Sequence, residues 1–156
     1  MQDKILSTPL IHYGSSRYKE ELFRPITNDL FDKPSGGLWT SPVNSEYGWR
    51  EWAKSADFKH YEDHESFQIM LKKTAKVLII DKPKDLESIP QRKDIPEMQF
   101  FRYLDFENIT NEYDAIYLTL NGLWRTKDYL QDSEHKLYSW DCESVIIMNK
   151  DCFTLL

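Results

Sequence analysis

Residues 36 to 56 read Gly36-Gly37-Leu38-Trp39-Thr40-Ser41-Pro42-Val43-Asn44-Ser45-Glu46-Tyr47-Gly48-Trp49-Arg50-Glu51-Trp52-Ala53-Lys54-Ser55-Ala56. The run from Leu38 to Ser41 predicts a short strand that Pro42 ends, because proline has no N–H to offer a ladder. Beyond it, Asn44 or Ser45 is placed to cap a helix, with Glu46 favourably in its first turn. Trp49, Trp52, Ala53 and Ala56 recur at helical spacing, with Arg50, Glu51 and Lys54 on the opposite side. A strand feeding an amphipathic helix that lies on a sheet is the expectation.

Upstream, Leu10 to Tyr13 reads as a first strand, and Tyr18 to Phe23 as a short helical stretch. Arg24 to Gly37 carries Pro25, Asn28, Asp29, Pro34, Gly36 and Gly37 and reads as a long loop. Downstream, Phe67 to Leu71, Val77 to Ile80 and Ala115 to Leu120 have the composition of buried or half-buried strands. Asp81 to Pro96 is punctuated by Pro83, Pro90 and Pro96 and predicts a loop with at most a turn or two of helix. Asp105 is placed to cap a short helix reaching Tyr113. Ser144 to Met148 is a strong strand, and Phe153 to Leu155 is expected as its last partner. Strands scattered among few helices predict an α+β fold in one domain spanning residues 1–156.

The composition sets limits. A chain of 156 residues, 40% apolar and 29% charged, can bury a core without disulfides or metals. Its net charge of −6 repels polyanions and argues against a protein whose main task is to grip a duplex backbone. Lys72, Lys73, Lys76, Lys82, Lys84, Arg92 and Lys93 concentrate positive charge locally, and read as a solvated face around a strand and a loop. Cys142 and Cys152 make neither a disulfide framework nor a four-ligand zinc site. The N-terminus has no signal-peptide apolar stretch and no segment reaches membrane-spanning length, so a reducing cytoplasm is expected, without excluding delivery into another cell. Gly14, Gly36, Gly37, Gly48 and Gly122 fit neither the Rossmann spacing nor a phosphate loop. His60 and His64 are four apart but do not form a His-Glu-x-x-His motif, and no metal is expected.

Three segments combine polar or aromatic residues with the edge of an apolar strand. They are Leu10-Ile-His-Tyr-Gly-Ser-Ser16, Gly36-Gly-Leu-Trp-Thr-Ser-Pro42 and Trp140-Asp-Cys-Glu-Ser-Val-Ile-Ile147, with Met148 to Cys152 continuing the last. In order and character they resemble the ADP-ribosyltransferase superfamily, in its toxin-like members. That family has a first strand ending in histidine or arginine, a second strand with an aromatic or Ser-Thr-Ser-like segment before a helix, and a glutamate entering a late strand. The resemblance implies a split β-sheet core with a few flanking helices, NAD as co-substrate and a macromolecular acceptor, protein or nucleic acid. It also leaves room for an inhibitory partner protein. No membrane partner is expected.

By that resemblance Glu143 and His12 are the catalytic pair. Glu143 would hold a ribose hydroxyl and stabilise the positive charge that develops at the anomeric carbon as nicotinamide leaves. Nicotinamide departs neutral from a cationic ring, so one carboxylate suffices. His12 would hydrogen-bond a ribose of NAD, and Gly14 would let backbone groups approach the carboxamide. Tyr13 or Trp39 would stack on the nicotinamide ring, Thr40 and Ser41 would orient Glu143, and Ser15 and Arg17 complete the expected NAD contacts, Arg17 at the pyrophosphate. Asp141 would lie on the acceptor side, together with Trp124 and Arg125 in a target-contacting segment that also holds Lys127, Tyr129, His135 and Tyr138. The alternative for that segment is a helix over Leu123 to Leu130 packed through Trp124 and Leu130. NAD hydrolysis at the same site, or a non-catalytic interaction domain of the same fold, are the competing functions. Either enzyme requires residues 12 and 143 to share one cavity.

Overall fold

The computed structural model describes residues 1–29, 32–95, 102–127 and 137–156. Its elements, in chain order, are α1 (Gln2–Leu6), β1 (Leu10–Tyr13), β2 (Arg24–Thr27), β3 (Ser35–Pro42), α2 (Trp49–Ser55), β4 (Ser66–Leu71), β5 (Val77–Ile80), α3 (Phe106–Ile109), β6 (Ala115–Leu118), α4 (Leu120–Lys127), β7 (Ser144–Ile147) and β8 (Phe153–Leu155). Among the described residues the strands join in one sheet, ordered β5-β6-β7-β3-β1-β4-β8, with β2 paired to β3 off that path. Among the described strands only β5 and β6 run parallel; the other pairs are antiparallel. The architecture is α+β, as expected from strands separated by few helices.

Alternation along the strands explains why this sheet buries both faces. Val77, Ala115, Val145, Ile147, Leu38 and Leu10 point into one core, sealed by Ile5 of α1 and by Phe153. Their neighbours Leu78, Ile80, Ile116, Leu118 and Ile146 point into a second core with Phe106, Ile109, Leu123 and Trp140. A strand covered on both sides needs apolar residues at every position, which is why β5 and β7 read as unbroken runs.

Several elements depart from expectation for identifiable reasons. The predicted loop over Arg24 to Gly37 contains β2, and β3 begins at Ser35. Gly36, at φ +87°, permits this: a Cβ there would lie 2.0 Å from the Pro25 carbonyl oxygen. The proline and glycines that signal a turn here allow two backbones to approach. Helix α2 is capped neither by Asn44 nor by Ser45. Instead the Gly48 N–H donates to Glu51, and the Trp49 N–H donates to the Ser41 hydroxyl at 2.9 Å. Of the predicted stripe only Ala53 is fully buried; Trp49 and Trp52 pack at a tilt against each other, and Phe58 meets Trp49 edge-on and Trp52 at a tilt. The stretch Tyr18 to Phe23 holds a single 3₁₀ turn, Glu20–Leu22.

Strand β6 stops at Leu118 because Thr119 and Leu120 open α4. This helix buries Leu123, while Trp124 is 52% exposed and touches Tyr47; Leu130 lies outside the described residues. Strand β8 pairs with β4, not with β7. Asp105 caps α3 as expected, accepting from the Asn108 N–H at 3.1 Å. Lys72, Lys73, Lys76, Lys82, Lys84 and Lys93 are exposed, whereas Arg92 is half-buried and pairs with Asp94. Among the described residues no helix is long and apolar enough to cross a membrane.

Candidate functional site

The strands carrying the three sequence segments are neighbours: β3 lies between β7 and β1. At their ends opens a cavity of about 320 Å³, lined by His12, Tyr13, Trp39, Thr40, Ser41 and Asp141, together with Ile11, Lys33, Trp49, Cys142 and Ser144. The lining is mostly apolar and aromatic with a few polar groups, the usual chemistry of a small-molecule site.

His12 Nδ1 lies 2.8 Å from the Trp39 carbonyl oxygen. A carbonyl only accepts, so Nδ1 carries the proton, and in the neutral ring Nε2 is left as an acceptor. Burial pushes the imidazole below its ordinary pKa of 6.5, with the Trp39 carbonyl opposing. The unfolded chain therefore takes up this proton more readily than the folded one. The resulting stability is present above pH 6.5 and is lost as the pH falls towards the folded-state value. Lowering the pH from about 7.5 to about 5.5 is expected to destabilise the wild type more than His12→Gln, read from denaturant midpoints at each pH.

Trp39 packs edge-on against Trp140 with ring centres 4.9 Å apart. The Trp140 indole N–H donates to the Asp32 carbonyl at 2.7 Å, and Ser139 donates to the Asp32 carboxylate through its backbone N–H at 3.0 Å. Residues 32–33 are thereby pinned beside the turn at 139–141. Lys33 reaches Asp141 at 3.2 Å and lies 5.0 Å from the centre of the Trp39 ring. Burial lowers the pKa of the Lys127 ammonium, an effect that Asp141 opposes. Cys142 is buried, and burial pushes its thiol upward, so it is a poor nucleophile at neutral pH.

The position of Glu143 departs from the expectation. Its carboxylate does not line this cavity but a second one, of about 300 Å³, shared with Ser45, Asp81, Tyr117 and Asn121. There Oε1 accepts from the Tyr117 hydroxyl at 2.6 Å and Oε2 from the Ser45 hydroxyl at 2.5 Å. Thr40 and Ser41 do not orient that carboxylate. Their hydroxyls donate to the backbone carbonyls of Val145 and Glu143, at 2.8 and 3.0 Å. Those bonds splice β3 to the start of β7. Residues 12 and 143 line different cavities, so the shared cavity expected of this pair is not formed, and the carboxylate residue that lines the His12 cavity is Asp141.

Glu143 is 7% exposed and has both oxygens bonded. Glu143→Gln keeps its shape but weakens two bonds to a carboxylate, and is expected to cost about 1–2 kcal/mol of stability in chemical denaturation.

Other named residues lie off the cavity wall. Gly14 is exposed, and its N–H donates to the Glu65 carbonyl at 2.8 Å. The Ser15 hydroxyl donates to the Arg17 carbonyl, and Arg17 is exposed. Trp124 and Arg125 are exposed on α4, where Trp124 packs on Tyr47. Tyr129 and His135 lie outside the described residues. Lys33, Trp49, Cys142 and Ser144 are lining residues not singled out in the sequence as site residues. Trp49 was legible as an aromatic beside the second segment, whereas nothing local marks Lys33. No family model, curated protein or solved structure matches this chain.

Proposed function

We propose that the chain binds NAD with its nicotinamide end in the His12–Trp39–Asp141 cavity and, because the cavity required of a His12–Glu143 pair is not formed, transfers ADP-ribose to a macromolecule with Asp141 in place of Glu143. The supporting observation is that the three segments contribute His12, Tyr13, Trp39, Thr40, Ser41 and Asp141 to a single cavity, while Glu143, the residue on which the third segment's resemblance turns, lines another. Trp39 and Tyr13 offer flat faces to a flat ring. Neutral His12, with Nδ1 held by the Trp39 carbonyl, offers Nε2 to a ribose hydroxyl.

Cleavage of the nicotinamide–ribose bond sends the bonding electrons to the pyridinium ring, which leaves as neutral nicotinamide. Positive charge builds at the anomeric carbon until an acceptor attacks there and loses its proton. A carboxylate facing that carbon lowers the barrier. Asp141 takes that role in this reading, because Glu143 lines the other cavity. The two buried, unpaired thiols suit work in a reducing cytoplasm.

Incubation with NAD and chromatography for free nicotinamide tests the proposal, with cell extract added to look for ADP-ribose on protein or nucleic acid. Release that rises with extract supports transfer, and release without it supports hydrolysis by the same site. No release under either condition refutes both. A specific observation favours a second reading, a non-catalytic binding domain: Lys33 already pairs with the cavity's carboxylate.

A further inference from the structure

Lys33 holds an unusual place. Its ammonium lies between a carboxylate oxygen of Asp141 at 3.2 Å and the Trp39 ring, 5.0 Å from the centre. Both partners attract cations, one by charge and the other by its ring quadrupole. The pair is partly open to water, with the two side chains 26% and 34% exposed. An ion pair of that kind contributes little to stability, so separating it costs little. Only the side chain need leave, since Asp32 is held by Ser139 and Trp140.

We propose that the Trp39–Asp141 niche is a binding place for a planar organic cation, which Lys33 fills in the free protein and vacates when the ligand enters. This inference rests on the assignment of the cavity to NAD, whose nicotinamide ring is such a cation, and adds an internal competitor to it. Lys33 would keep Asp141 neutralised until a ring able to stack on Trp39 displaces the ammonium. A lysine ammonium is compact and strongly hydrated, so it gives up the niche to water readily, whereas a flat cation gains a stacking face there.

The test compares 1-methylnicotinamide, a planar cation, with neutral nicotinamide, titrated into the wild type, Lys33→Met and Lys33→Gln by calorimetry. Removing the competing ammonium is expected to tighten 1-methylnicotinamide binding by about threefold to tenfold. Neutral nicotinamide is expected to change by less than about twofold, and Lys33→Met combined with Asp141→Asn is expected to lose the gain. Melting curves check that each variant is folded. Unchanged or weaker cation binding in both Lys33 variants, an equal gain for the neutral ring, or no binding of either probe would overturn the inference. Binding needs no turnover, so the outcomes separate: nicotinamide release from NAD without a gain in the Lys33 variants sinks the competitor alone, whereas a gain without release sinks the transferase reading alone.

Discussion

Asp141→Asn is expected to lower nicotinamide release from NAD by about 10²–10³-fold, the usual cost of removing one preorganised electrostatic group from a transition state. The change conserves shape and removes charge. The substituted amide would still border the cavity but could no longer balance the positive charge at the anomeric carbon. It would also leave Lys33, now 3.2 Å from the carboxylate, without its anion, adding a repulsion that the wild type lacks. The effect should fall on KM as well as kcat, because in this account Asp141 faces the cationic ring in the ground state and the anomeric carbon in the transition state. Glu143→Gln serves as the contrast. Its carboxylate is held by Ser45 and Tyr117 beside the other cavity, so stability should fall modestly while release persists. Progress curves for the two variants, run beside denaturation curves, separate the roles. Loss of release in a folded Glu143→Gln with an active Asp141→Asn would reverse the assignment.

Trp140→Ala should produce the largest loss of stability. The side chain is fully buried, packs edge-on against Trp39 and donates to the Asp32 carbonyl. Truncating a buried tryptophan costs about 3–5 kcal/mol through lost transfer free energy and the void left behind. For a chain of this size that is a fall in Tm of roughly 6–20 °C, readable by calorimetry. The damage should reach the site as well, since Trp39 loses its backing ring and the 32–33 segment its anchor. Trp140→Phe separates the contributions. It restores most of the volume but not the indole N–H, so it should recover most of the stability and leave Asp32 less firmly held.

The strand framework was legible in the sequence because its signals are local. β1, β4 and β5 announce themselves by composition, and Asp105 by capping chemistry. What was not legible depends on distant partners. Pro25 and Gly36 are turn residues by local rules, yet their backbones meet in a β2–β3 pairing that only the folded chain reveals. Ser45 looks like a helix cap and instead binds a carboxylate ninety-eight positions away in sequence. That Glu143 and His12 line different cavities is not legible in the sequence for a related reason. Strand alternation would put residues 141 and 143 on one side, but β7 begins only at Ser144 and the chain before it is not extended strand. Irregular backbone lets two acids separated by one residue face different cavities. Lys33 had no signature at all, because a lone lysine in a loop gains meaning only from what stands opposite.

The central claim is where the cationic ring goes, and a crystal structure with NAD, or with a non-cleavable analogue, tests it most directly. The account predicts the nicotinamide ring against Trp39, its ribose near Asp141 and His12, and the Lys33 ammonium displaced from the carboxylate. A ring bound instead beside Glu143, Ser45 and Tyr117, or a saturated crystal with the Trp39 cavity empty and Lys33 still on Asp141, would contradict it.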